Sequence, residues 1–502
     1  MTCFPNTISS LILGLRRPAG ALLITGSLLA PFAATATVRL PRLVGSHMVL
    51  QRDVQLPLWG WAEPSESVRV TFRGNTVQTR ADADGRWRLQ LPPQTAGGPF
   101  KLEIRGQKTI TLTDVLVGDV WLAAGQSNMR WPLRQSAVGE KQVAAADLPN
   151  LRLFAVPERP DARPQDDLAG GEWAACSPRT AADFSAVAYF FGRLLHEQQQ
   201  VPVGVIMAAV DGTPAEAWCS EEALRKLPEP RATRPQTAPA GPQHAPSSFF
   251  NGMVAPLIPF ALRGVAWYQG ESNTDRASQY QALLTGLIQD WRQRWETEPP
   301  RPQPLPFLVV QLPGYQPDPP GPAESAWADL RAAQRQVVRT VPATALVVAL
   351  DLGEVNDLHP KNKQEVGRRL ALAARRLAYN DANVTASGPS LESIKAAGSR
   401  LVLQFINTGS GLVFRPTAGP SMGFNASAPA QRNTFTSFAI AGPDRRWTWA
   451  QAEVRGNTVT LYAAGVRQPV AVRYAWGNSR PSTLYNQEGL PTSPFQASLP
   501  GH

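Results

Sequence analysis

The spacing of hydrophobic and polar positions changes twice along the chain and divides it into three regions. From residue 38 to about 112, short runs alternate apolar and polar residues, which is typical of half-buried β-strands. Turn-forming pairs such as Gly74-Asn75 and Asp84-Gly85 separate these runs and favour tight connections between antiparallel strands. We therefore predict an N-terminal β-sandwich over residues 38–112.

The middle region, residues 113–385, has the pattern of a parallel sheet covered by helices. Near-continuous apolar runs, as in strands buried on both faces, alternate with stretches whose apolar residues lie three and four positions apart. The apolar runs are 115–124, 203–210, 265–268, 307–312 and 345–350, and the predicted helices are 184–198, 277–295, 323–338 and 363–379. This order predicts a three-layer α/β domain. The Pro- and Ala-rich segment 227–248 is expected to be a long loop.

The two ends of the chain differ from this middle region. Alternation returns over residues 391–496 and predicts a C-terminal β domain. Residues 1–36 carry Arg16-Arg17, an apolar stretch at 19–30 and the small residues Ala34-Thr35-Ala36, as a secretory signal peptide does. That stretch is shorter than the roughly 20 residues that cross a bilayer. We expect an exported protein, periplasmic or secreted, without a membrane span after signal cleavage.

Composition and charge exclude several classes of protein. A chain that is 43% hydrophobic and 18% charged buries enough apolar surface to fold, so it is not disordered. Loss of the two leader arginines lowers the formal net charge from +10 to +8, and the basic residues are scattered, so we expect no nucleic-acid partner.

We find no metal-ligand spacing and no phosphate-binding glycine motif, so we expect no metal and no cofactor. Whether Cys176 and Cys219 pair is left open.

Polar residues follow four of the predicted strands where each strand ends. Because the carboxyl ends of parallel strands meet at one edge of a sheet, these residues are expected to lie close together. The segments are Gly-Gln-Ser-Asn-Met at 125–129, Asp-Gly-Thr at 211–213, Gln-Gly-Glu-Ser-Asn at 269–273 and Asn-Asp-Leu-His-Pro at 356–360. Together they supply a serine, a glycine backbone, an asparagine and an Asp/His pair. That set suits an activated serine with an oxyanion hole.

The scarcity of histidine points to the base of this site. Of five histidines, only His359 follows a predicted strand of the sheet, and it lies two residues after Asp357. A serine nucleophile needs a base, so we predict that Ser127 and His359 act together. The sequence 419–423 also matches the G-x-S-x-G serine motif, but it lies in a β-type region without a following helix, and we interpret it as a loop.

The four segments, read with their neighbours, resemble the blocks of an SGNH hydrolase, specifically of the sialate O-acetylesterase family. The fuller matches are Gly-Thr-Pro-Ala-Glu-Ala-Trp at 212–218 and Trp-Tyr-Gln-Gly-Glu-Ser-Asn at 267–273. Segments 48–53 and 489–495 are also similar, so the resemblance covers nearly the whole chain after the leader. It implies that Ser127 attacks an acetyl carbonyl and His359 accepts its proton. It also implies an oxyanion hole made by the amides of Ser127 and Gly212 and the side chain of Asn273.

The chain departs from this family at two positions. The acid of SGNH enzymes often lies three residues before the histidine, where this chain has Asn356. Asp357 is the preferred acid and Glu271 is its rival, because either carboxylate could orient the imidazole. Asp211 stands where the family more often has glycine, and we interpret it as a turn residue. Five residues near these blocks are candidate substrate contacts: Gln126, Asn128, Trp131, Trp218 and Gln269. For the two tryptophans, packing within the protein is an equally good alternative to stacking on a sugar ring.

These expectations combine into one functional hypothesis with two alternatives. The hypothesis is an exported serine esterase that removes O-acetyl groups from carbohydrate, 9-O-acetylated sialic acid first, through an acetyl-serine intermediate. One alternative keeps the enzyme but takes acetyl xylan or another plant polysaccharide as substrate, since a fold does not fix a substrate. The other is a non-catalytic glycan-binding protein. The oligomeric state is left open.

Overall fold

The computed structural model describes residues 38–228, 241, 244–296, 303–415 and 437–501. The predicted leader, most of the loop 227–248 and the serine-motif match at 419–423 lie outside these residues. The described residues form one compact unit.

Strands form the N-terminal region, as its alternating pattern predicts. They are β1 (Val49–Gln51), β2 (Leu56–Trp61), β3 (Ser67–Phe72), β4 (Asn75–Arg80), β5 (Arg86–Leu91), β6 (Gly97–Arg105) and β7 (Thr109–Gly125). β2 pairs with β5, and β3 pairs with β4 and β6, all antiparallel. Gly74 closes the β3–β4 turn with φ 81°, a left-handed conformation that glycine adopts without strain.

β7 belongs to two regions at once. Its first half pairs antiparallel with β6, and its second half pairs in parallel with two strands of the central sheet. The predicted boundary at residue 112 therefore falls inside one continuous strand. This strand ends at Gly125, immediately before the serine segment.

The central sheet confirms the predicted α/β fold. After β7 its strands are β8 (Leu148–Ala155), β9 (Trp173–Cys176), β10 (Val203–Ala209), β11 (Gly264–Tyr268), β12 (Phe307–Val310) and β13 (Thr344–Val347). Their order is β13-β12-β11-β7-β10-β8-β9, and all neighbours are parallel except β9, which runs antiparallel to β8. The sequence pattern missed β8 and β9. Charged Arg152 interrupts the apolar run of β8, although its buried guanidinium is paired with Asp114 at 2.7 Å, and β9 has only four residues.

Helices cover both faces of this sheet. The α-helices are α1 (Ser127–Arg130), α2 (Gly139–Ala144), α3 (Pro178–Ala181), α4 (Ala186–Gln199), α5 (Glu221–Arg225), α6 (Ala277–Arg294), α7 (Ala326–Thr340) and α8 (Lys363–Ala378). Successive β7 residues point to opposite faces: Leu122 joins the core beneath α6 and α7, and Ala123 joins the core beneath α4 and α8. Short 3₁₀ helices lie at Leu133–Gln135, Ala215–Trp218, Ala255–Leu257, Glu271–Arg276 and Leu350–Leu352, and a π-helical turn lies at Phe250–Val254.

Antiparallel sheets form the C-terminal region. Its strands are β14 (Ser390–Ala397), β15 (Arg400–Ile406), β16 (Leu412–Phe414), β17 (Phe438–Ala441), β18 (Trp447–Trp449), β19 (Gln451–Arg455), β20 (Thr458–Tyr462), β21 (Ala471–Tyr474), β22 (Leu484–Asn486) and β23 (Phe495–Ser498). They order as β14-β15-β20-β19, β18-β17-β21-β23 and the pair β16-β22. Arg331 of α7 is buried and donates hydrogen bonds to the carbonyls of Gly477 and Asn478, which joins this region to the central domain.

Candidate active site

Ser127 lies at the end of the central strand of the sheet. Gly125 ends β7 with φ 144°, and a Cβ atom there would lie 2.0 Å from the carbonyl oxygen of Tyr268, so only glycine fits. The chain then turns, and Ser127 begins α1 with its side chain largely buried. Its Oγ lies 2.9 Å from Nε2 of His359. The two residues that the sequence predicts to act together are thus in hydrogen-bond contact.

His359 reaches this serine on a loop between β13 and α8. The backbone of the loop is held by a hydrogen bond from Nδ2 of Asn128 to the carbonyl of Leu358 and by one from the His359 amide to Oδ1 of Asp357, at 3.1 and 2.8 Å. The indole of Trp131 stacks on the imidazole with centroids 4.9 Å apart. Burial lowers the pKa of His359 from its ordinary value, and the charge of Lys363 lowers it further. A lowered pKa keeps the imidazole neutral and able to accept a proton near neutral pH.

The segments after β10 and β11 leave the sheet at the same level as the serine segment. Gly125 is paired with Ala209 of β10 on one side and with Tyr268 of β11 on the other. Gly212 follows with φ 68°, and a Cβ atom there would meet nothing within 4 Å. Within the described chain, the backbone amides of Ser127 and Gly212 donate to no protein acceptor. Both amides are therefore available to an incoming oxygen.

Asn273, the third residue assigned to the oxyanion hole, is held rigidly in the interior. Its Oδ1 accepts hydrogen bonds from the amide of Ala215 at 2.9 Å and from Nε2 of Gln269 at 2.8 Å. Its Nδ2 donates to Oε2 of Glu216 at 2.9 Å. An amide nitrogen carries two hydrogens, so one N–H of Asn273 is left over for another acceptor.

The two candidate acids occupy different positions relative to the histidine ring. Asp357 binds the backbone amide of His359, and its charge raises the pKa of that imidazole. Glu271 instead accepts a hydrogen bond from Nδ2 of Asn128 at 2.6 Å. Among the described residues, neither carboxylate is hydrogen-bonded to Nδ1 of His359. The choice between the two acids stays a prediction.

Comparison with known proteins identifies the family. The profile of the carbohydrate esterase, sialic acid-specific acetylesterase family matches residues 117–376, which include the serine, Gly212, Asn273 and histidine segments. The chain belongs to this family of carbohydrate esterases. The solved structure of a carbohydrate acetylesterase from Xanthomonas citri is 37% identical, covers 92% of this chain and 100% of its own, and superposes with a TM-score of 0.82.

Mammalian relatives agree with this assignment. The sialate O-acetylesterases of Homo sapiens and Mus musculus are each 29% identical to this chain over 92% of its length and 94% of theirs. The protein is thus a carboxylic ester hydrolase of a family that removes O-acetyl groups from sugars, and the α/β fold with additional antiparallel sheets is confirmed. The alternative of a non-catalytic glycan-binding protein is not supported.

The esterase fold corrects one candidate substrate contact. Trp218 is 0% exposed, stacks on Phe249 and donates its indole N–H to Oγ1 of Thr213 at 3.0 Å. A ring enclosed on all sides cannot pack against a sugar, so Trp218 belongs to the core. Its position shortly after the Gly212 segment was the signal for a substrate contact, and sequence spacing does not show on which side of a backbone a ring lies.

The other four candidate contacts also lie mainly within the protein. Gln126, Asn128 and Gln269 are buried and hydrogen-bonded to protein groups, so they support the neighbouring segments. Gln126, for example, accepts a hydrogen bond from the amide of Gly270 at 3.2 Å. Trp131 is partly exposed and remains a candidate for sugar contact.

Sequence reasoning missed two features of this esterase site. Lys363 begins α8 and is only 1% exposed, and its Nζ donates to Oδ1 of Asn128.

The second feature is an exposed group that we call the rim, formed by Arg130, Glu158 and Asp211. Nη1 of Arg130 lies 3.3 Å from Oε2 of Glu158 and 3.7 Å from Oδ2 of Asp211. Asp211 is therefore part of a charged group beside the serine segment as well as a turn residue.

The remaining expectations concern metals, cysteines and membrane spans. In the described part of the chain, no cluster of three or more His, Cys, Asp or Glu side chains is arranged to hold a metal ion. Cys176 and Cys219 are both buried and unpaired, and burial raises the pKa of each thiol. Among the described helices, none is long and apolar enough to cross a membrane.

Proposed function

We propose that this esterase works through an acetyl-serine intermediate, with Ser127 as nucleophile and His359 as general base. The contact of 2.9 Å between Oγ of Ser127 and Nε2 of His359 is the observation that carries the proposal. Proton transfer requires such a distance and a base that is unprotonated at working pH. The lowered pKa of His359 meets the second requirement.

The reaction proceeds in two balanced halves. Oγ of Ser127 attacks the acetyl carbonyl while Nε2 of His359 takes the hydroxyl proton. The tetrahedral intermediate then expels the sugar oxygen, which takes that proton from His359 and leaves as a hydroxyl group. Water, deprotonated by His359, attacks the acetyl-serine, and the second tetrahedral intermediate expels Oγ of Ser127, which regains the proton from His359. Acetic acid leaves and releases its proton to solvent as acetate.

Donors that are fixed before the reaction stabilise the negative oxygen of each intermediate. We assign this role to the amides of Ser127 and Gly212, which donate to no described protein acceptor, and to the spare N–H of Asn273. Hydrogen bonds to Asn273 from two directions hold its side chain in place. Such preorganised donors are typically the largest electrostatic contribution to acyl-transfer catalysis.

Asp357 is the acid that we favour as support for the histidine. Its carboxylate holds the His359 amide and attracts the imidazolium that forms during the reaction. Glu271 is hydrogen-bonded to Asn128, one residue from the nucleophile, and therefore supports the serine side of the site.

We further propose that the protein is exported and that 9-O-acetylated sialic acid is its first substrate. The leader pattern in residues 1–36 supports export. The family description and the names of the mammalian relatives support a sialic acid ester. A neutral acetylated polysaccharide such as acetyl xylan is the second candidate. It is favoured by the rim, where two carboxylates outnumber one guanidinium and disfavour an anionic sugar.

The test compares the wild type with Ser127→Ala. Wild-type protein should hydrolyse 4-nitrophenyl acetate and gain the mass of one phosphonyl group from a serine-directed phosphonate. Ser127→Ala should lose at least about a thousandfold in kcat and gain no mass. Equal rates in the two proteins would contradict the mechanism. Acetate release from 9-O-acetylated sialic acid and from acetyl xylan then separates the two substrate candidates.

A further inference from the structure

Lys363 is a buried cation that the mechanism above does not use. It is 1% exposed, and its Nζ donates a hydrogen bond to Oδ1 of Asn128. The ring centroids of Trp131 and Tyr268 lie 5.9 and 5.8 Å from that nitrogen. Burial lowers the pKa of Lys363 to about 7. A buried ammonium is costly unless it is paired, so solubility does not account for a lysine at this position.

The partner of Lys363 connects both halves of the Ser127–His359 pair. Asn128 follows the nucleophile directly, and its Nδ2 donates to the carbonyl of Leu358, the residue before the histidine. The same Nδ2 donates to Oε1 of Glu271. Lys363 therefore fixes the side chain that ties the serine turn to the histidine loop.

The charge of Lys363 also acts on the titratable groups around it. Glu271, Asp357 and Glu354 face Lys363 and raise its pKa, and the buried Oε2 of Glu271 has no hydrogen-bond partner among the described residues. At His359, the charge of Lys363 lowers the pKa, while Asp357 and Asp211 raise it. Below about pH 7 the lysine is protonated, so its charge is present where a histidine with a lowered pKa titrates.

We propose that Lys363 is a positioning residue for the esterase, which holds Asn128 in place and disfavours protonation of His359. This inference rests on the proposed roles of Ser127 and His359. It accounts for a site in which, among the described residues, no carboxylate is hydrogen-bonded to the imidazole ring. A nearby cation, together with burial, keeps the base neutral, and the asparagine network sets its distance from the nucleophile.

The test measures kcat/KM for 4-nitrophenyl acetate against pH in the full chain. In Lys363→Met, the acid limb should move to higher pH by a few tenths to about one unit, because a cation near His359 is lost. The plateau should also fall. Lys361→Met is the matched control, because Lys361 is exposed and lies two residues earlier, in the loop that carries His359. Both its acid limb and its plateau should match the wild type.

Two further variants separate this role from a general loss of structure. Lys363→Arg keeps the positive charge, so the acid limb of its kcat/KM profile should stay near the wild-type pH even if the plateau rate falls. In Glu271→Gln, Lys363 loses the carboxylate that supports its charge, so the limb should move in the same direction as in Lys363→Met. When Lys363→Met and Glu271→Gln are combined, the acid limb should shift no further than in Lys363→Met alone, because both changes act through one ammonium group.

The outcomes separate this inference from the proposed function. If the acid limb of Lys363→Met stays at its wild-type pH, or if Lys361→Met shifts it equally, the proposed role of Lys363 is wrong. The serine mechanism still stands in that case, provided that Ser127→Ala is inactive. Wild-type rates in Ser127→Ala overturn the mechanism itself. Circular dichroism and melting temperatures of every variant verify that each rate is measured on folded protein.

Discussion

The active site has a buried side and an exposed side, and they are built differently. The buried side consists of Asn128, Gln269, Asn273 and Lys363, each at most 1% exposed and each hydrogen-bonded to another segment of the site. On the exposed side, the rim residues Arg130, Glu158 and Asp211 have 44%, 45% and 64% of their side chains accessible to solvent. They are joined by solvent-exposed ion pairs, one of which is also a hydrogen bond.

This difference separates the chemistry of the site from its specificity. A group that is enclosed and hydrogen-bonded is already in place before the substrate binds, so it contributes to the chemical step. A solvated ion pair contributes little energy and is screened by salt, so a change there alters substrate preference more than rate. Substitutions on the buried side should therefore have large effects on kcat, and substitutions at the rim should have small, substrate-dependent ones.

Apart from loss of the nucleophile itself, the largest effect is expected for Asn273→Ala on the buried side. Loss of the side chain removes one proposed oxyanion donor and leaves the Ala215 amide and Glu216 without a hydrogen-bond partner that each now has. We expect kcat to fall about 10²- to 10³-fold with KM changed much less. Asn486→Ala is the matched control, because Asn486 is also buried and bonded through both ends of its amide. A loss of stability without a loss of kcat in Asn273→Ala would remove Asn273 from the oxyanion hole.

A smaller effect, with a diagnostic direction, is expected for Asp357→Asn. In the wild type, the charge of Asp357 raises the pKa of His359 and favours the imidazolium that forms during the reaction. We expect kcat to fall by about tenfold and the acid limb of the pH profile to move to lower pH. Glu271→Gln should move the limb to higher pH, through Lys363. If the acid limb moves in the same direction in both variants, the two carboxylates do not act on His359 in the different ways that we assign to them.

The sequence predicts the central domain well because most of its strands are buried on both faces. Continuous apolar runs marked β7, β10, β11, β12 and β13, and amphipathic spacing marked the four long helices. Strand β8 escaped because Arg152 is buried against Asp114, a pairing between residues 38 positions apart. The shared strand β7 was not foreseen either, since hydrophobic alternation does not reveal which partners a strand has.

For groups that follow strands directly, the sequence predicts which side chains lie close together. Ser127 and His359 were placed by strand ends and by the scarcity of histidine, and the structure brings them into contact. Lys363 was missed because lysine at the start of a helix is usually solvated, and only the packed structure shows Asn128 against it. For Trp218 the sequence leaves sugar contact and packing open, because enclosure by Phe249 and Trp267 depends on tertiary structure.

The pH dependence of the wild type tests whether burial governs the base. Burial and Lys363 outweigh Asp357 and Asp211, so the pKa of His359 is below its ordinary value of about 6.5. The base is active when unprotonated, so kcat/KM should rise with pH along a limb centred below about 6.5 and then level off. The measurement is initial rates on 4-nitrophenyl acetate from pH 4.5 to 7.5 at constant ionic strength. A limb centred above 6.5 would show that the carboxylates outweigh burial.

The smallest effect is expected at the rim, for Asp211→Asn. With this charge removed, Arg130 balances Glu158, and a sugar that bears a carboxylate meets less repulsion. We expect kcat/KM for 9-O-acetylated sialic acid to rise about two- to threefold relative to acetyl xylan fragments, and the gain to shrink in 0.5 M salt. Asp166→Asn is the control, because Asp166 is similarly exposed and paired with Arg86 on the N-terminal region. An unchanged ratio of the two substrates would mean that the rim does not face the sugar, and the buried side would then have to account for specificity as well as rate.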